Sequence, residues 1–226
     1  PPPPLTTPYP AAGTASRVAQ RIMISETVVR GWKPTALDVK KAFLKGVSYR
    51  ELSEATAQPE RHVWFDLAPD AIEVLRQLPG YHDFDPTVEV LKMNRPGTGC
   101  KDAPRCWAMK LATATNNKFG AVPVTADDQL LVRHSGQSSK KELDFICTKH
   151  VDDIKIGCHP SMVAKIMKPL EDTFGKLTYS EKDFVNTGVR HRLLENGSVE
   201  IDQDEYLGNL IPITSPELVG ADGEKE

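Results

Sequence analysis

Three carboxylates have the type and placement to do chemistry in this chain. Asp38 lies in LDVKKAFLKG, residues 37–46, and Asp152 and Asp153 lie in FICTKHVDDIKIG, residues 145–157. Each sits where a short apolar stretch meets polar residues. Carboxylates gathered at strand ends present hard oxygen ligands, the donors Mg²⁺ takes. Two such ions, about 3.5–4 Å apart, serve in-line displacement at phosphorus. If the two segments pair in space, the chemistry on offer is nucleotidyl transfer. An isolated Asp-Asp is commonly a solvated turn, so the case depends on what flanks the pair and what lies opposite.

The elements that must position these acids alternate between helix and strand. Residues 17–29, with Val18, Ile22 and Ile24 apolar, predict a helix, and residues 37–39 a short strand. Residues 63–67 and 88–93 predict strands, and Ile72, Leu75 and Leu78 place a helix over residues 69–78. Asp102 stands at an N-cap position with Pro104 in the first turn, opening a helix that runs to Phe119. Residues 130–132 read as a strand, and residues 145–150 and 154–158 as a hairpin closed by Val151, Asp152 and Asp153. Ser161 caps a helix whose stripe is Val163, Ile166, Met167, Leu170 and Phe174. Residues 184–190 and 199–202 predict strands with a turn at residues 195–197, and a last helix starts near Gln203. The pattern predicts an α+β fold, an antiparallel sheet with helices on one face. A strand bearing Asp38 beside the hairpin would bring the three acids together.

Composition sets outer limits. A chain of 226 residues can bury one sizeable core. Residues 1–14 are Pro-rich and predict a disordered segment, residues 15–210 the domain, and residues 211–226 a linker or truncated tail. No apolar run reaches bilayer length, so no membrane partner is expected. The four cysteines have no framework spacing, which predicts a reduced, intracellular setting. Twenty-eight basic against 31 acidic residues leave a net charge of -3, so nucleic-acid contact would have to come from local basic clusters rather than a general positive field. Cys147, His150, Cys158 and His159 match no zinc spacing, and a strand puts Cys147 and His150 on opposite faces.

Four blocks in order give the chain its resemblance. LDVKKAFLKG is close to LDVKTAFLNG; GTGCKDAPRCW, residues 97–107, is similar to YGLKQAPRAW; HVDDI, residues 150–154, is similar to YVDDI; and FVNTGV, residues 184–189, is a loose version of YFLGI. Over roughly residues 15–210 the chain resembles the reverse transcriptase of Ty1/copia-type retrotransposons. The resemblance implies the antiparallel-sheet polymerase palm of the right-hand fold, with fingers incomplete here, and RNA-directed DNA synthesis. It implies Asp38 and Asp152 as the main ligands of Mg²⁺ or Mn²⁺, Asp153 as the third acid, and the Val39 carbonyl as a further ligand. Phe43 falls where an aromatic excludes a ribose 2′-hydroxyl, Lys101 and Arg105 where phosphate is met, and His150 beside the primer end in place of the family's Tyr. The implied partners are an RNA or DNA template with its primer, a dNTP, and flanking RNase H and integrase regions of a polyprotein. A degenerate remnant that folds or binds nucleic acid without polymerising is the alternative, motivated by His150 and by the missing basic fingers segment.

Overall fold

The computed structural model describes residues 13–136 and 141–211. In chain order it contains α1 (Arg17–Val29), β1 (Thr35–Asp38), α2 (Tyr49–Thr56), β2 (Val63–Phe65), α3 (Pro69–Arg76) and β3 (Leu91–Met93). There follow α4 (Ala103–Phe119), β4 (Val122–Val124), β5 (Asp127–Ser135), β6 (Glu142–His150), β7 (Asp153–Cys158), α5 (Val163–Phe174), β8 (Thr178–Ser180), β9 (Asp183–Asn186), β10 (Val189–Leu193), β11 (Val199–Asp202) and α6 (Asp204–Gly208). A six-stranded antiparallel sheet runs β4-β5-β6-β7-β1-β8; β11-β10-β9 form a second sheet and β2-β3 a separate pair. The class is the predicted α+β.

The central strands explain the layering. Phe145, Ile146 and Cys147 are all buried, so β6 is apolar on both faces and both faces must be covered. On one side Leu37, Cys147, Ile154 and Ile156 pack with Trp107 and Leu111 of α4 and with Ile166, Leu170 and Phe174 of α5. On the other, Leu130 and Ile146 pack against Ala19, Met23 and Ile24 of α1. The expectation of helices on one face is therefore corrected. Gly157 permits the α1 layer: a Cβ there would overlap the Thr27 hydroxyl, which is buried and donates to the Met23 carbonyl at 2.7 Å.

Several local readings change for physical reasons. α1 keeps its predicted bounds, but it buries Ala19, Met23, Ile24 and Thr27 and leaves Val18 and Ile22 exposed. Asp102 occupies the N-cap of α4 without a side-chain cap bond, because its carboxylate pairs with Arg61 instead. Ser161 caps nothing; it lies in a short 3₁₀ turn, Pro160–Met162, where its backbone N–H donates to His159 Nδ1, and α5 starts after it. The predicted strand over residues 184–190 is two strands, broken at Thr187 and Gly188, which both have positive φ. Only Leu91–Met93 of the predicted strand at residues 88–93 forms. α2 was not foreseen, although Ser48 and Glu51 make a reciprocal capping box at its start. The predicted segments at residues 1–14 and 211–226 fall almost wholly outside the described residues.

Candidate functional site

Register decides which acids meet. β1 lies antiparallel to β7 with Asp38 opposite Asp153 and Leu37 opposite Ile154. Side chains opposed in this way share a face, with Cβ atoms about 5 Å apart. Leu37 and Ile154 face the α4 and α5 layer, so Asp38 and Asp153 project from the other face. β6 adds His150 opposite Asp153 on that same face. Asp152 lies in the turn between β6 and β7 and is exposed. The pairing thus sets Asp153 opposite Asp38 and leaves Asp152, which the resemblance implies as a main ligand beside Asp38, in the turn at the tip.

The hairpin tip is held from below. Trp107, fully buried, donates its indole N–H to the Val151 carbonyl at 2.5 Å. Its ring meets Phe174 at 5.0 Å between centroids, tilted by 58°. The same stretch of α4 is fixed to the Asp38 block: the Val47 N–H donates to the Cys106 carbonyl at 3.1 Å, and a Cβ on Gly46 would stand 2.9 Å from backbone atoms of Cys106 and Trp107. Three of the four sequence blocks therefore converge on Trp107.

The fourth arrives from the second sheet. The Thr187 N–H, in the β9–β10 turn, donates to Asp153 Oδ2 at 3.4 Å. Beneath it Lys155, with no exposed surface, sets its Nζ 3.0 Å from His191 Nε2. His191 Nδ1 is 3.0 Å from the Val189 carbonyl, and its ring stacks on Phe184 at 5.1 Å. A neutral imidazole with its proton on Nδ1 satisfies both contacts, donating to Val189 and accepting from Lys155. Burial pushes Lys155 down to about 8, opposed by the charge of Asp153. Burial and the neighbouring ammonium push His191 down to about 4. Sequence reasoning passed over this pair. The available signal was a lysine inside the apolar run of β7, two residues from Asp153 and so on its face.

The other expected residues are distributed around this centre. Val39 is buried in the main cluster. Phe43, in the 3₁₀ turn Ala42–Lys45, is half-buried against that cluster, as an ordinary core aromatic would be. Lys101 is exposed just before α4, and Arg105 is half-buried in its first turn with a buried Nε that has no protein partner. His150 Nδ1 is taken by the Thr14 hydroxyl, and Thr14 also bridges to His150 along the backbone. A cavity of about 680 Å³ opens beside His150, between the start of α1 and the second sheet, with Arg17, Arg21, Thr187 and Asp202 in its wall.

Carboxylate oxygens suit a hard divalent cation, and the strand register sets Asp38 and Asp153 opposite one another. Among the described residues no three His, Cys, Asp or Glu side chains gather as a ready cage. The expected convergence of Asp38, Asp152 and Asp153 into one three-acid group is therefore corrected: only Asp38 and Asp153 are opposed, and Asp152 stands apart in the turn.

Compared with known proteins, the chain is 26% identical over 206 residues to the retrovirus-related Pol polyprotein from transposon RE1 of Arabidopsis thaliana. The match covers 87% of this chain and 12% of that polyprotein. The likeness is distant and points to a retrotransposon Pol origin. No family model matches the chain, and no solved structure matches it significantly. No helix among the described residues is long and apolar enough to cross a membrane.

Proposed function

We propose that the chain is the palm of a Ty1/copia-type reverse transcriptase, an RNA-directed DNA polymerase. The observation that carries the reading is the opposition of Asp38 and Asp153 on one sheet face, with three motif blocks of a Pol-like sequence tied together at Trp107. A divalent cation bound there would lower the charge on a dNTP and its leaving pyrophosphate and favour the primer hydroxyl as nucleophile. Asp38 and Asp153 hold the acceptor oxygens in place from two hydrogen-bonded strands. The Thr187 amide reaches one oxygen of Asp153 at 3.4 Å, a long contact that favours one orientation of that carboxylate. Arg105, with a buried Nε lacking a protein partner near the start of a 17-residue helix, offers the triphosphate both a guanidinium and the positive end of the helix dipole. Phosphoryl transfer asks chiefly for such positioning and charge stabilisation.

The test is primer extension by the purified chain with Mg²⁺ and dNTPs on RNA and DNA templates. Asp38→Asn and Asp153→Asn should each lose about a thousandfold or more, as large a loss as removal of a strong transition-state contact. Asp152→Asn, at the tip, should lose less. Unchanged extension by Asp38→Asn would sink the assignment.

A second reading, a fold retained without synthesis, has one observation in its favour. Lys155 already supplies a buried positive charge on the face of Asp153. No extension by the parent chain, with salt-sensitive duplex binding that survives loss of the acids, would select that reading.

A further inference from the structure

We infer that Trp107 is a positioning residue for the hairpin that carries Asp152 and Asp153, acting through its indole N–H as well as its bulk. The catalytic meaning rests on the polymerase reading above; the geometry does not. His150 and Asp153 pair across a two-residue turn made of Val151 and Asp152. Val151 takes φ 52°, in the left-handed region that a β-branched side chain strongly disfavours and that such turns normally give to Gly or Asn. The hairpin does not choose this conformation locally, so contacts outside it must hold the tip.

Two contacts do so. The Val151 side chain packs against the main cluster, and its carbonyl accepts the Trp107 N–H at 2.5 Å. The Trp107 ring packs against Phe174, and its main chain is held by the close approach of Gly46 to the Cys106 and Trp107 backbone. The indole therefore transmits the position of the Asp38 block to the tip. Rotating Val151 out of the left-handed region would turn the chain at Asp152 and Asp153 and spoil the opposition of Asp153 with Asp38. A phenylalanine keeps most of the ring but leaves the carbonyl of Val151 without its donor.

Amide and indole hydrogen exchange, read by NMR on the full chain, tests the inference. In the parent the Trp107 indole N–H should exchange far more slowly than that of Trp64, which is 56% exposed. In Trp107→Phe, amides of residues 150–154 should exchange about five- to tenfold faster relative to those of β5, the change one net hydrogen bond carries. The Mg²⁺ concentration for half-maximal extension should rise while KM for dNTP stays nearly constant. Fast exchange of the parent indole overturns the inference, and that measurement needs no variant should Trp107→Phe fail to fold. Acceleration spread evenly over β5, β6 and β7 also overturns it, since it marks a purely structural role. A parent chain that extends no primer removes the polymerase reading but leaves both exchange results decisive.

Discussion

Acid should loosen the second sheet from the first before it touches the carboxylates. His191 is nearly fully buried, and its folded-state pKa is depressed to about 4 from an ordinary 6.5 by burial and by the Lys155 ammonium. Asp202 and the Val189 carbonyl favour the protonated ring, without offsetting those two causes. The unfolded chain therefore binds a proton that the folded chain refuses between pH 6.5 and 4. Stability from this group is full above the unfolded value and is lost as pH falls toward the folded one. A shift of 6.5 to about 4 corresponds to about 2 kcal/mol lost by pH near 4.5. Asp127 and Asp183, lowered from 3.8, lose their contribution mainly below this window, while Glu51, lowered from 4.5, overlaps its lower end and is subtracted by the comparison with His191→Gln. Urea denaturation near pH 7 and near pH 4.5 measures the loss. In His191→Gln, whose amide can accept from Lys155 and donate to Val189 without titrating, most of it should vanish. An equal loss in the parent and in His191→Gln would refute the reasoning.

Two glycines mark close approaches that a methyl group cannot enter. Gly157→Ala should cost about 1–3 kcal/mol by pushing Thr27 and α1 off the sheet, and Thr27→Ala in the same chain should recover most of it in urea denaturation. Gly46→Ala meets backbone rather than a side chain, so it should cost at least as much, about 2 kcal/mol or more, and find no single rescuing partner.

The hairpin and its acids were legible because apolar runs flank them on both sides, and α1, α4 and α5 because their lengths and breakers are plain. The pairing of Asp38 with Asp153 was not legible. Register in a sheet of non-local strands is set by packing on both faces, and a single residue of slip would have changed which acid faces Asp38. The two-sided cover of β6 was present in the unbroken apolar run at residues 145–147, yet a helix stripe such as Val18 and Ile22 does not announce which of its faces will be used. The break at Thr187 and Gly188 was hidden because Thr is an unusual residue for a left-handed position. Lys155 and His191 escaped notice because buried polar pairs depend on two segments 36 residues apart meeting at one point.

The most direct measurement uses Mn²⁺ in place of Mg²⁺ with a dNTP present, reading paramagnetic broadening of assigned amides. The proposed site predicts broadening centred on β1 near Asp38 and on β7 near Asp153, abolished in Asp38→Asn and in Asp153→Asn. Broadening centred elsewhere, or surviving the loss of either acid, would contradict the opposed-acid site on which the polymerase reading stands.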